Sequence, residues 1–134
     1  MSQENVEIVR RAWDVWSRRD LDGLLDLCGD DVVWDTTRIR DWPDSEYTGH
    51  DGVRRFLSDW LDVWDEFETG VDEVIPAADD RVVALYWMRG KGRRSGLMMD
   101  VAWALVTEVR DGRLARIDIY DDTAEALKAV RLEE

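Results

Sequence analysis

The sequence is poor in the residues that most often carry chemistry in small proteins. It has one cysteine, Cys28, and one histidine, His50. A single cysteine excludes an internal disulfide. One Cys with one His cannot assemble a zinc site of the usual kind, and no metal is expected. Long apolar runs are missing too. The longest covers residues 82–88, followed by 101–106, both far short of a membrane span. Positive charge is scarce: Lys plus Arg number 18 against 31 Asp plus Glu, a formal net charge of −13. That field repels phosphate backbones and anionic lipid, which argues against nucleic-acid and membrane partners. The first residues, Met1-Ser2-Gln3-Glu4, are polar and hold no signal-peptide core, so the expected compartment is the cytoplasm.

What is present fits one domain over 1–134, with 45% hydrophobic and 37% charged residues. A chain this long buries roughly two-thirds of its unfolded surface, enough for one core and a modest cavity. The unusual count is eight tryptophans, where average composition gives roughly two. Trp is bulky and seldom fills a small core completely. Eight of them suggest aromatic walls around a pocket, or an oligomer interface.

Apolar spacing of three and four predicts a helix over 3–19, through Val6, Val9, Trp13 and Trp16. Asp20 reads as the N-cap of a short helix, 21–28, that stops at Gly29. A β-branched run at 32–36 reads as a strand, and 37–49 as a long loop or lid. The clearest helix is 51–64, with Val53, Phe56, Leu57, Trp60, Leu61 and Trp64 on one stripe. Strands follow at 67–75, 81–89, 97–109 and 113–121. A glycine-rich turn over 90–96 and an Asp111-Gly112 hairpin turn separate the last three. Asp122 and Glu125 read as a capping box for a last helix to about residue 131. The order is α+β, with consecutive strands in an antiparallel sheet.

Strands 81–89 and 97–109 are apolar at nearly every position, so both faces need cover. Three helices cannot cover both and also shape a cavity. One face is therefore expected to meet a second subunit. Asp100, inside an apolar run, is expected to be buried and paired with an arginine.

Several segments carry a resemblance. They are the helix leading into Asp20-Leu21-Asp22-Gly23, then Asp30-Asp31-Val32-Val33-Trp34, then Tyr47-Thr48-Gly49-His50-Asp51-Gly52-Val53-Arg54-Arg55-Phe56. Arg110-Asp111-Gly112-Arg113-Leu114, Tyr120-Asp121-Asp122 and Ala124-Glu125-Ala126-Leu127 complete the set. The chain resembles the NTF2-like superfamily, within it the SnoaL-like group related to polyketide cyclases and ketosteroid isomerases. The resemblance implies a cone: a strongly curved antiparallel sheet around three helices, a short C-terminal helix, and a conical apolar pocket. It also implies a homodimer through the outer sheet face (Val83, Leu85, Trp87, Ala102, Ala104), with Val106, Asp118 and Tyr120 pointing outward as well. The implied activity is binding of a small, largely apolar molecule, with cofactor-free acid–base catalysis of the cyclase, isomerase or hydrolase type possible. A non-catalytic binding protein and a dimerising association domain are the alternatives.

The register of the resemblance implies a cavity-facing set of Trp13, Trp16, Trp34, Thr36, Trp60, Trp64, Tyr86, Met88, Trp103, Leu105, Ile117 and Ile119, with Val82 and Ala84 between them. An acid on the last strand of the cyclases falls at or next to Ile119, making Asp121 the first catalytic candidate and Asp118 the second. Burial beside aromatic groups would raise such a carboxyl toward the acid–base range. Ketosteroid isomerases use an aspartate base and an oxyanion hole of a tyrosine and a protonated aspartate. The matching positions here read Ala12, Thr36 and Leu105, with Asp35 beside Thr36, so that activity is not expected. His50 reads as a surface turn residue, and the Lys91, Arg93 and Arg94 cluster as a solvated turn. No cofactor is implied.

Overall fold

Side chains fix several element ends before any packing is considered. The Asp20 carboxylate accepts from the Gly23 amide at 2.9 Å, capping a short helix. Asp122 Oδ1 accepts from the amides of Ala124 and Glu125 at 2.9 and 3.2 Å, which starts the last helix. Asp111 and Gly112 both take positive φ, 54° and 75°, as a two-residue type I′ hairpin requires.

The computed structural model describes residues 2–39, 42 and 46–131. The elements are α1 (Ser2–Ser17), α2 (Leu21–Leu27), β1 (Cys28–Asp35), β2 (Glu46–Thr48), α3 (Gly49–Asp62), β3 (Trp64–Pro76), β4 (Arg81–Gly92), β5 (Met98–Arg110), β6 (Arg113–Tyr120) and α4 (Thr123–Arg131). The strands form one curved, unclosed sheet in the order β2-β1-β6-β5-β4-β3. The α+β class is the expected one. No described helix is long and apolar enough to cross a membrane.

Differences from the sequence reading have local causes. Helix α1 ends at Ser17 because Arg19 turns left-handed, with φ 57°. Its amide donates to the Trp16 carbonyl at 2.8 Å, and the Asp20 amide to that of Val15 at 2.9 Å, a Schellman closure. Within the segment read as a loop, β2 pairs antiparallel with β1; at three residues it is too short to show alternation. Strand β3 begins at Trp64 and carries two register shifts, which break the period-two signal. Strands β4 and β5 stay paired as far as Lys91 and Met98, so the turn is tighter than 90–96. Strand β1 runs parallel to β6, making the sheet mixed rather than purely antiparallel. A parallel partner needs a long crossover, here supplied by everything between β1 and β6.

The ladder sorts side chains onto two faces. Ala84, Leu105 and Ile119 form one cross-strand row; Val83, Val106 and Asp118 form the next, on the opposite face. Helices α1, α2 and α3 pack on the first face and build the main core. Helix α4 packs on the second. Its Ala126 and Val130 join Val83, Ala104, Val106 and Tyr120 in a separate buried cluster. This corrects the reasoning that a second subunit must cover that whole face: Val83 and Ala104 are fully buried within the chain. Leu85 and Trp87 are half-buried and Ala102 is exposed. The β4–β5 tip is open, with Leu97, Met98 and Met99 at 67%, 69% and 43% exposure. Asp100 lies in this open stretch and is exposed, not buried as expected.

Candidate functional site: an aromatic cavity within the cone

The inner face of the sheet and the three helices do not close completely. The remaining cavity is lined from α1 by Val9, Ala12, Trp13 and Trp16, from α2 by Leu24, from β1 by Trp34, and from α3 by Phe56, Leu57 and Trp60. The sheet adds Phe67 and Thr69 (β3), Tyr86 and Met88 (β4), Trp103, Leu105 and Thr107 (β5), and Leu114, Ile117 and Ile119 (β6). The space open to the centre of a water molecule is ≈ 80 Å³, enough for a few waters or one leading aromatic ring.

The rings pack in two groups, one around Phe56 and Trp60 and one of Trp13 with Tyr86. Trp34 stacks on Phe56 at 5.3 Å between centroids, Trp60 meets Trp103 at 5.8 Å and Phe67 at 6.0 Å, and Trp13 meets Tyr86 at 4.9 Å. These are favourable offset and tilted separations. Polar atoms are few. Thr69 Oγ1 donates to the Trp87 carbonyl at 2.8 Å. Complete burial pushes the Tyr86 phenol far above its ordinary pKa, so it stays protonated. Trp34 Nε1 is buried without a hydrogen-bond partner, a loss of about 1–3 kcal/mol for an orphaned donor. Among the described residues the lining holds no carboxylate, imidazole, amine or guanidinium.

Ten of the fourteen positions named from the sequence line this cavity; Val82 and Ala84 are fully buried in the core without lining it. Trp64 does not line it either. Its indole lies on Gly90, where an added Cβ would come within 2.5 Å of Trp64 Cε3. It packs there behind Phe67 and Trp60. Thr36 lies beyond the end of β1, 1% exposed and outside the lining. Phe56 and Leu57 share the α3 stripe with Trp60, a signal already in the sequence. Phe67 and Thr69 were hidden by the irregular register of β3.

Neither catalytic candidate lines the cavity. Strand β6 ends at Tyr120, one residue early, and Asp121 leads toward the cap of α4, half-buried. Asp118 faces outward with Asp35, its neighbour across the β1–β6 pair. Arg116 Nη2 donates to Asp35 Oδ2 at 2.6 Å and Arg116 Nε to Asp118 Oδ1 at 3.1 Å. Arg38 stands 3.9 and 3.7 Å from the two carboxylates. Asp35 also accepts from the Thr37 amide and hydroxyl at 2.8 and 2.6 Å. Burial raises the Asp118 pKa, the Asp35 charge adds to this, and Arg116 and Arg38 oppose it. His50 is half-buried, and its Nε2 donates to the Cys28 carbonyl at 3.2 Å. Burial pushes the Cys28 thiol up to about 12, which makes it a poor nucleophile near neutral pH. Arg93 is used on the Trp64 carbonyl at 2.9 Å. No metal-ligating cluster of three or more groups occurs among the described residues.

Residues 9–117 match the SnoaL-like domain. The chain belongs to the SnoaL-like family. Solved structures place this SnoaL-like chain on the NTF2-like cone expected from its sequence. An NTF2-like protein of unknown function from Burkholderia pseudomallei K96243 is 26% identical, with TM-score 0.76 over 95% of this chain and 97% of that one. TerC, crystallised with polyporic acid, is 22% identical, with TM-score 0.77 over 96% and 98% of the chains. A Mycobacterium tuberculosis protein in complex with estradiol-17beta-hemisuccinate is 19% identical, with TM-score 0.72 over 87% and 92%. No match was found among curated proteins.

Proposed function

We propose that this SnoaL-like protein binds a small, largely apolar aromatic molecule in the cavity and performs no acid–base chemistry on it there. One observation carries the reading: an aromatic lining with an unpartnered indole N–H and, among the described residues, no titratable carboxylate or imidazole. Such a lining solvates a planar ring but offers nothing to move a proton. Relatives of the same fold bound to polyporic acid and to a steroid hemisuccinate support small-molecule binding. The void takes one ring as it stands, so a second ring rests on the half-buried indoles of Trp13, Trp16 and Trp103. Titration with a panel of neutral one- to three-ring aromatics, 2-naphthamide among them, should quench Trp emission saturably. It should also raise Tm, by an amount equivalent to about 2.7 kcal/mol at a hundredfold excess over Kd. Trp103→Ala should weaken both responses. A panel without a saturable response overturns the reading and favours an association domain.

Family membership keeps cofactor-free catalysis as the second reading, resting on Asp121 and then Asp118. Either would have to act from outside the lining described above. Ketosteroid isomerisation is not expected: Ala12 and Leu105 present only apolar groups to the cavity and Thr36 is absent from it. Enone formation from a β,γ-unsaturated ketosteroid at more than the buffer rate would reverse this.

We also infer a cytoplasmic homodimer. Its interface is the part of the outer face that α4 leaves uncovered, Leu85, Trp87 and Ala102, continued by the exposed Leu97, Met98 and Met99. Light scattering should give about twice 15.6 kDa, and a single-chain mass would refute it.

A further inference from the structure

Arg19 occupies a position that local rules assign to another residue. It is the left-handed C′ residue closing α1, where Gly or Asn is the usual choice. Four non-glycine residues have positive φ among the described residues; the other three, Asp79, Asp80 and Asp111, are of the type that tolerates it. A bulky side chain held there costs roughly 1 kcal/mol or more, and strain of this sort gathers at functional sites.

That backbone carries the guanidinium back across the end of the helix. Its carbon lies 4.7 Å from the Trp16 ring and 5.4 Å from the Phe67 ring. Both rings line the cavity and both are half-buried, so they form its rim between α1 and β3. The guanidinium spends two donors on main-chain carbonyls, Nη1 on Trp16 at 3.0 Å and Nη2 on Phe67 at 3.3 Å. It makes no ion pair with a described residue, in a chain where Asp and Glu outnumber Lys and Arg by 31 to 18. The neighbouring charges are committed elsewhere: Arg18 pairs with Asp14 at 2.7 Å, and Asp20 caps α2. Three N–H donors and a whole positive charge therefore remain at the mouth of a cavity whose lining, among the described residues, holds no charge.

We propose that Arg19 recognises an anionic group on the ligand, and that the ligand class is an aromatic carboxylate of one or two rings. One ring enters between the indoles while the carboxylate stays at the rim against the guanidinium. The inference rests on the cavity-binding reading above and adds to it the charge of the ligand and the residue that reads it. The net charge of the chain works against an anion at long range, but the Debye length at physiological salt is about 8 Å, so the adjacent cation dominates. Arg19 is exposed at the rim, so the contact has the strength of a surface pair whose cation is held in place by two carbonyl hydrogen bonds.

The test compares 2-naphthoate with 2-naphthamide, which have the same shape and differ by one charge. Both are titrated by Trp quenching and calorimetry against wild type, Arg19→Gly and Arg19→Lys. Arg19→Gly suits the left-handed backbone, so it folds, and circular dichroism and Tm verify this. Wild type should prefer naphthoate by roughly three- to tenfold, a preference that shrinks with NaCl. Arg19→Gly should remove the preference and leave naphthamide affinity within about twofold, and Arg19→Lys should restore part of it. Equal affinities in wild type, a preference that survives in Arg19→Gly, or equal weakening of both probes in that variant would each overturn the assignment. If naphthamide binds and naphthoate gains nothing, the cavity reading stands and the anion reading fails. If neither binds, both fail.

Discussion

Asp35 and Asp118 show how burial and pairing separate two like residues. Both carboxylates meet Arg116, but Asp35 also takes two hydrogen bonds from Thr37 and its side chain is only 7% exposed. Asp35→Ala takes from Arg116 its 2.6 Å partner, leaving it Asp118, and unpairs two local donors, so a loss of about 1–3 kcal/mol is expected in urea denaturation. Asp118→Asn leaves Arg116 its 2.6 Å partner and should cost less than about 1 kcal/mol at neutral pH. The sign of the pH effect follows from the raised Asp118 pKa. The folded state holds that proton more tightly than the unfolded state, so ionisation of Asp118 costs stability. The cost sets in as pH rises from the ordinary carboxylate value through the raised one. The stability of Asp118→Asn relative to wild type should therefore increase across that acidic window and level off above it. A difference flat with pH would show that Asp118 is not perturbed. At this scale the sequence was legible where alternation held: Trp34, Tyr86, Met88, Trp103, Leu105, Ile117 and Ile119 all face the cavity. It was misleading at Asp121, where one residue of strand length moved the carboxyl off the inner face.

Elements were legible where a cap or a long amphipathic stripe marked them, as at Asp20, Asp122 and the Phe56–Trp60 face of α3. They were not legible where pairing alone makes the strand. β2 has a single buried residue, Tyr47, and exists because β1 offers it a ladder. Helix α4 was visible as a helix, but its destination was not, because nine residues do not say which face of a sheet they will cover. That destination matters, since α4 buries the outer rows that otherwise demanded a second chain. Ala126 is fully buried in this second cluster. Ala126→Asp would place an unpaired carboxylate against Val83, Val106 and Tyr120, at a cost of about 3 kcal/mol or more. The expected phenotype is a lowered Tm together with a larger species in light scattering, because the exposed face seeks cover. A variant that stays as stable as wild type would mean that α4 is only loosely docked.

The whole molecule combines a solvent-averse interior with a strongly one-signed surface. The cone itself was legible from the order of elements and the family resemblance. The parallel β1–β6 pairing was not, because a crossover spanning most of the chain leaves no local trace. The charge is readable at once and has a consequence for stability. Several exposed pairs, such as Arg18 with Asp14 and Arg54 with Asp22, would lose strength in salt. Exposed pairs of that kind are worth only about 0.2–1 kcal/mol each. Against them stands the self-repulsion of a net charge of −13 on a chain of 134 residues, which folding concentrates. The Debye length falls from about 30 Å at 0.01 M to about 8 Å at 0.15 M, so salt removes repulsion across the molecule before it weakens contacts at 3 Å. Arg116 with Asp35, mostly shielded from solvent, should change little. Raising NaCl over that range should therefore increase Tm by a few degrees, since 1 kcal/mol corresponds to about 3–5 °C in a domain of this size. NaCl is the right salt, because sulfate strengthens apolar burial by itself. A Tm that stays level or falls over this range would mean that the exposed ion pairs outweigh the repulsion, and that the acidic surface is balanced locally in spite of its sum.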